Sequence, residues 1–300
     1  MISGAEQRLI SCTAAAARPA TSSVREEQDV TRPFRFGVQA PLRSDLPTWR
    51  DQVRRLADSG YSTLLMPDFP QLQPAPAPTL AIAATVAADL RVGTWVYASP
   101  LRPVWSTAWE SHSLSVLTEG RFEMGVGTGR PGIEDELRAR GMPVVPRSER
   151  LAQVREVVTT LRDLDGPNLH TPVAMAVHGP KAQAVAAEVA DTVAFALMPG
   201  EDRGKVTQVV RDFRVRATRD VELAQQVGVI GDTVAPHLAI PTVDPAALRA
   251  ADSLEVLPED PKAAVDELRR RREEIGFSYF VFGAIHADVL APVVAELAGR

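Results

Sequence analysis

The chain has 300 residues, 45% hydrophobic and 24% charged, with 33 basic against 38 acidic side chains and a net charge of −5. That balance gives no overall electrostatic case for nucleic-acid binding, and no apolar run reaches the ~18 residues that span a bilayer. Cys12 is the only cysteine, so neither an intrachain disulfide nor a cysteine-based zinc site can be built, which fits a reducing, cytoplasmic setting. Residues 1–32 are Ala/Ser/Thr-rich, lack the apolar centre of a secretory signal, and are expected to form a disordered arm. Residues 33–300 are expected to form a single domain.

From Phe34 onward, short apolar runs alternate with amphipathic helices. "FRFGVQA" reads as the first strand. "DLPTWRDQVRRLADSG" then places Trp49, Val53, Leu56 and Ala57 on one helical face, closed by Gly60. "STLLMPD" is the second strand, Thr79 to Leu90 the second helix, "RVGTWVYA" the third strand, and "VWSTAWESHSLSVLTEG" its helix. Trp105 and Trp109, four apart, share a helix face and are expected in the core. "RFEMGVG" is the fourth strand. It is followed by "IEDELRARGMPVVPRSER", interrupted by Gly141, Pro143 and Pro146, and a helix over Arg147 to Asp165. "PVAMAV", "TVAFALM", "VELAQQVGVI" and "SYFVFG" are strands five to eight. Their helices are "GPKAQAVAAEVAD", Asp202 to Thr218, "DPKAAVDELRRRREEIG" and "ADVLAPVVAELAG", with Asp260 and Pro261 opening the third of these. The run Arg269 to Glu274 reads as a solvated helix face. Gly231 to Pro258 is the least regular stretch and offers at most a short helix. The strands are mostly apolar on both faces, as in a parallel sheet covered by helices. Eight βα units in about 265 residues match a (β/α)8 TIM barrel in count and size.

"GRFEMGVGTGRPG" raises a competing reading, because Gly127, Gly129 and Gly132 spell the G-x-G-x-x-G of a dinucleotide-binding turn. That fingerprint belongs to a first βα unit whose glycines open a long helix. Here it ends a fourth strand, where barrel glycines bring backbone close to a ligand at the catalytic mouth. No H-E-x-x-H, G-x-S-x-G or Walker pattern is present, and no metal site is expected.

"SVLTEGRFEMGVGTGR", followed by "RSERLAQVREVVTTLRDLDG", resembles the bacterial luciferase-like oxidoreductases. "GYSTLLMPD", "LRVGTWVYASPLRP", "TPVAMAVHGPKAQAVAAEVADTVAFAL" and "IGFSYFVF" are similar to that family's second, third, fifth to sixth, and eighth units, in order. The motif run looks most like the actinobacterial F420-type branch. The resemblance implies a TIM barrel that binds FMN or the deazaflavin F420 across its C-terminal mouth. It also implies reductase or monooxygenase chemistry on a small organic substrate, a homodimer, and in the FMN case a partner flavin reductase.

The same resemblance distributes roles. Gly179, Pro180 and Lys181 open a helix and would hold the cofactor phosphate. Gly127, Thr128 and Gly129 would bring backbone to the cofactor. Ala98 and Ser99 would lie under its ring, at a non-prolyl cis bond Ala98–Ser99 or a prolyl one Ser99–Pro100. Gln39, Asp68, Phe69 and Tyr97 would line the substrate pocket, and Arg130 and His178 are the candidate catalytic groups. Two positions depart from relatives: Phe69 stands where many have His, and Arg130 where the sugar-phosphate dehydrogenases have a proton-donating Glu. Arg130 would then clamp an anion. The departures also motivate a rival reading, a barrel without redox chemistry acting as a lyase, cyclase or binding protein. Among the other histidines, His112 reads as structural and His170 as surface. His237 falls in the irregular segment, and His286 follows strand eight, facing the mouth.

Overall fold

In the computed structural model, residues 32–196, 198–236 and 243–300 are described. The arm expected over 1–32 therefore lies outside the described residues, apart from Arg32, and so does His237. Strand β1 (Arg35–Gln39) leads through α1 (Leu46–Asp58) to β2 (Thr63–Met66), α2 (Pro76–Val86), β3 (Arg91–Thr94) and β4 (Tyr97–Ala98). Next come α3 (Val104–Leu117), β5 (Phe122–Gly127), α4 (Ile133–Ala139), α5 (Arg147–Asp165), β6 (Val173–Val177) and α6 (Pro180–Val189). The chain continues with β7 (Thr192–Phe195), α7 (Arg203–Arg216), β8 (Glu222–Val227), β9 (Val229–Ile230) and β10 (Thr233–Val234). It ends with α8 (Pro245–Ala250), β11 (Val256–Leu257), α9 (Pro261–Glu274), β12 (Phe277–Gly283) and α10 (Ala287–Leu297).

The main sheet runs β3-β2-β1-β12-β8-β7-β6-β5-β4, and β3 also pairs with β5. Every pairing in it is parallel. With β3 and β4 counted as one interrupted strand, this closes an eight-stranded parallel barrel with helices outside, the (β/α)8 architecture read from the sequence. The described residues from 32 on fall in one compact unit.

Local chemistry sets the elements. Asp45 accepts the Thr48 amide at 2.9 Å to start α1, whose Trp49, Val53 and Leu56 are buried; Gly60, at φ +85°, turns the chain back. Helix α9 starts the same way, Asp260 accepting from Ala263 at 2.9 Å with Pro261 in the first turn. Helix α2 begins at Pro76, three residues earlier than its periodicity suggests, because its prolines suit a first turn where no amide partner is needed.

Three expectations are corrected. Trp105 and Trp109 are 58% and 59% exposed, on the solvent side of α3, not in the core. Arg271, inside the charge run, is fully buried: it reaches Glu267, Gln225 and the Leu254 and Val256 carbonyls, tying α9 to β11 and β8. The seventh strand ends at Val227, and Val229–Ile230 instead centres a small sheet, β10-β9-β11, whose two outer strands lie within the stretch read as irregular.

The barrel interior is mixed rather than apolar throughout. Leu65, Trp95, Ala174, Ala194, Ala224, Tyr279 and Val281 pack together inside. Toward the N-terminal ends of the strands, Arg35 bonds Glu123 at 2.8 and 2.9 Å and Glu222 at 3.3 Å, and Arg91 also pairs with Glu123. This ionic cluster lies at the N-terminal end of the barrel, opposite the face where (β/α)8 barrels bind ligands.

Candidate active site

The C-terminal ends of the strands carry a polar circuit inside the barrel. The Trp95 indole donates to Gln226 Oε1 at 2.8 Å, and the Gln226 amide donates to Gln39 Oε1 at 3.2 Å. Gln39 in turn reaches the Trp95 carbonyl at 3.5 Å. Gln39 thus sits at the floor of the mouth, and Trp95 and Gln226 join it there. Neither of those two was picked out from the sequence. Their signal was available only in hindsight: an inward-pointing position at the last turn of an otherwise apolar strand.

The third barrel strand breaks at a cis peptide bond, Trp95–Val96. That corrects the expectation of a cis bond at Ala98–Ser99 or Ser99–Pro100. The neighbouring β5 accommodates the break through Gly125, whose amide donates to Thr94 Oγ1 at 2.9 Å. A Cβ on Gly125 would overlap the Thr94 carbonyl oxygen, and one on Gly127 would stand 3.1 Å from Val96. The glycine string therefore begins as a packing device. Gly129 and Gly132 have φ of +87° and +79°, and Gly132 leads into the seven-residue α4. No dinucleotide turn is formed.

Asp68 is buried and clamps the following segment. It accepts the Ala98 amide at 3.1 Å and both Nε and Nη2 of Arg102 at 2.9 Å. Arg102 lies 4.0 Å from the Tyr97 ring centre and bonds Glu110 at 3.1 Å, and the Tyr97 hydroxyl donates to Glu110 at 2.7 Å. Burial, then the Glu110 charge, pushes the Tyr97 hydroxyl far above its ordinary pKa. Tyr97 lies in the layer between barrel and helices, where it and Asp68 hold the strand end. Ala98 packs under α4 against Ile133 and Leu137, and Ser99, in the 3-10 turn that follows, is buried with an unpartnered hydroxyl.

The structure brings Phe69 and Arg130 together: the guanidinium lies 4.0 Å from the ring centre. Arg130 is also paired with Glu136 of α4, which holds Arg140 at 2.7 Å and accepts from Gln71 at 3.1 Å. Burial, foremost, lowers the Arg130 pKa, with Asp68 opposing. Behind this loop the buried Arg150 bonds Glu134 at 2.7 Å, the Val145 carbonyl at 3.0 Å and the Thr128 carbonyl at 3.4 Å. Its own backbone amide, then Arg150 and Arg147, hold the Glu134 carboxyl down to about 2.

His178 ends β6, exposed, with Nδ1 2.9 Å from the Ala196 carbonyl. A carbonyl only accepts, so Nδ1 carries a proton and Nε2 is the ring nitrogen turned away from that contact. Gly179 follows at φ +78°, and Pro180 opens α6 with no side chain capping its N-terminus. Exposed Lys181 stands in that first turn. Of the other histidines, His112 Nδ1 meets Asp165 at 2.9 Å and exposed His170 meets Asp191 at 3.2 Å, as structural and surface groups. Among the described residues, no cluster of three or more His, Cys, Asp or Glu could hold a metal, and no helix is long and apolar enough to cross a membrane.

A family model described as luciferase-like monooxygenase matches residues 29–235. No curated protein matches the chain. Among solved structures, the coenzyme F420-dependent tetrahydromethanopterin reductase of Methanopyrus kandleri superposes with a TM-score of 0.66 at 16% identity, covering 88% of this chain and 98% of its own. A riboflavin lyase solved with modified FMN and riboflavin gives 0.67 at 14% identity, covering 89% and 93%. The EDTA monooxygenase of Chelativorans sp. BNC1 gives 0.67 at 12%, covering 88% and 94%. At these identities the likeness is one of fold.

Proposed function

The chain belongs to the luciferase-like monooxygenase family, and from that premise we propose that it is an oxidoreductase binding F420 or FMN at its barrel mouth and acting on a small organic substrate. The observation that carries the reading is the mouth itself. At the C-terminal ends of the strands, the face where barrels of this class bind ligands, the Gln39–Trp95–Gln226 circuit lies on the same face as an uncapped helix N-terminus at Gly179–Lys181.

The residues present fit such a cofactor. The free amides of the first turn of α6 and the Lys181 ammonium suit a phosphate. The loop from Gly127 through Thr128 to Gly129 offers backbone without bulky side chains, and Ala98 and Ser99 close its flank. When bound, the cofactor supplies hydride transfer as F420 or oxygen activation as FMN, the latter with a partner flavin reductase. Around it, Phe69 gives an apolar wall and Arg130 a cation at the rim. Since Glu136 already holds Arg130, an anionic substrate must compete with that carboxylate, which favours neutral substrates. His178 presents Nε2 to accept a proton or hydrogen bond. Asp68 and Tyr97 fix the strand end from behind. The functional unit is a homodimer through the apolar face of α3.

The test is titration of the full chain with FMN and with F420, each oxidised and reduced, followed by absorbance and fluorescence. Saturable binding of one is expected, weakened about tenfold or more when Lys181→Ala and Gly179→Ala are combined. Binding of neither, in any redox state, would overturn the reading in favour of a lyase, cyclase or binding protein without redox chemistry.

A further inference from the structure

The polar circuit at the mouth has a fixed direction. Arg35 of β1 and Glu222 of β8 meet inside the barrel at 3.3 Å, and side chains alternate along a strand, so Gln39 and Gln226 also point inward, near the other end. Trp95 follows β3 at the same level and supplies both ends of the circuit. Its indole N–H only donates, so the Gln226 oxygen faces it at 2.8 Å, and the Gln226 amino group is left to donate to Gln39 Oε1 at 3.2 Å. The Trp95 carbonyl only accepts, so the Gln39 nitrogen faces it, at a loose 3.5 Å. Both amides are thereby oriented by groups that cannot reverse their roles.

Gln39 ends this relay with donor capacity unspent. Its amino group carries two N–H bonds: one lies at the limit of hydrogen-bonding distance from the Trp95 carbonyl, and no other described residue accepts the second. Its oxygen is already engaged by Gln226. Gln39 and Gln226 both remain part-exposed, whereas Trp95, Ala224, Tyr279 and Val281 beside and below them are buried. Solvent therefore reaches the Gln39 amide from the C-terminal side of the barrel. No charged side chain belongs to the circuit, so an anion placed there gives up hydration without gaining a counter-charge, a cost that a neutral acceptor avoids.

We propose that Gln39 sets specificity at the mouth as an obligate hydrogen-bond donor to a neutral carbonyl oxygen of the bound small molecule, with Trp95 and Gln226 as positioning residues that hold its amide in that sense. The proposal rests on the reading of the mouth as the ligand site. Such a carbonyl has two sources, the ring of a flavin-type cofactor and an organic substrate, and the experiment separates them. Reversing the relay distinguishes this role from simple packing. In Gln226→Glu the introduced carboxylate still accepts the indole N–H but has no N–H for Gln39 Oε1. Gln39 then turns its amino group toward the carboxylate and its oxygen toward the ligand.

Full-length wild type, Gln39→Leu and Gln226→Glu are titrated with FMN, F420 and cyclohex-2-enone as a neutral carbonyl probe, and the infrared carbonyl bands of each bound molecule are recorded. For at least one molecule, a carbonyl band is expected at lower frequency in wild type than in Gln39→Leu, because a donated hydrogen bond weakens the C=O bond. Affinity for that molecule is expected to fall about tenfold in Gln39→Leu, and at least as far in Gln226→Glu although Gln39 is intact there. A band change confined to FMN or F420 assigns the carbonyl to the cofactor; one confined to the enone assigns it to substrate. Bands and affinities in Gln39→Leu equal to those of wild type would overturn the proposal. So would a folded Gln226→Glu that binds like wild type, because the relay would then not orient Gln39. Should Gln226→Glu fail to fold, Gln39→Glu reverses the last group directly; it is expected to bind worse than Gln39→Leu, and equal or tighter binding would overturn the proposal. Wild type that binds none of the three molecules would overturn this proposal and the cofactor reading together. Wild type that binds neither FMN nor F420, while the enone band responds to Gln39→Leu, would retire the cofactor reading and keep this one.

Discussion

At the scale of single residues, several side chains act on the mouth from behind it. Asp68 is the clearest case. Its carboxylate is buried against Arg102 in a two-pronged pair and also accepts the Ala98 amide. Removing one partner of a buried pair leaves the other charge unmatched, at about 3–5 kcal/mol. Arg102 keeps Glu110 at 3.1 Å when Asp68 is lost, so Asp68→Ala is expected to destabilise the protein toward the lower end of that range in urea unfolding. A loss of ligand affinity with unchanged stability would instead make Asp68 a pocket residue. Arg130 shows the limit of reading a lone charge. The sequence exposes its position after the glycines, but its partner Glu136 is revealed only when α4 folds back over the loop. Gly125 is similar: the string drew attention to the glycines after it, while the one that most resists a side chain is set by the break in the adjacent strand.

At the scale of elements, the helices were the most legible part, because a buried stripe repeats every turn and caps are local. The exception was which face of α3 is covered. Trp105 and Trp109 share a face in any helix, but spacing alone does not say whether that face meets the barrel. In the structure Trp105, Trp109, Val116 and Leu117 are all exposed, while Thr107, Ala108, Ser111, Leu114 and Ser115 face inward. Exposed large apolar side chains grouped on one helix mark an interaction surface. Combined Trp105→Arg and Trp109→Arg is expected to shift sedimentation from dimer to monomer without lowering the thermal midpoint. A wild type that sediments as a monomer would remove the dimer reading. The third strand was the other exception: one continuous run in sequence, two pieces in space, with the peptide Trp95–Val96 between them.

At the scale of the whole molecule, buried charge gives a pH dependence. Burial raises the Glu255 carboxyl from 4.5 to about 7, against the Gly228 amide and Arg271, which pull it down. The folded state then holds a proton that the unfolded state has lost between those two values. Stability accordingly falls as pH rises from about 4.5 to about 7. In Glu255→Gln that loss is expected to vanish, so the drop in thermal midpoint between pH 5 and pH 8 is smaller than in wild type. Equal slopes in the two proteins would show that the carboxyl does not carry the effect.

By itself, the sequence determined the barrel: eight alternating units, their helix caps and an ordered run of family motifs are local or periodic signals, and a parallel sheet wrapped by helices follows from them. It also determined that Gly179–Lys181 opens a helix just after a strand. Only the tertiary structure decided which polar groups meet. The Gln39–Trp95–Gln226 circuit joins residues from three strands, Arg271 bridges a helix to two strands beyond it, and His286 is buried by segments distant in sequence. A hydrogen bond or a burial depends on what closes over a residue from elsewhere in the chain, and no local pattern of residues carries that information.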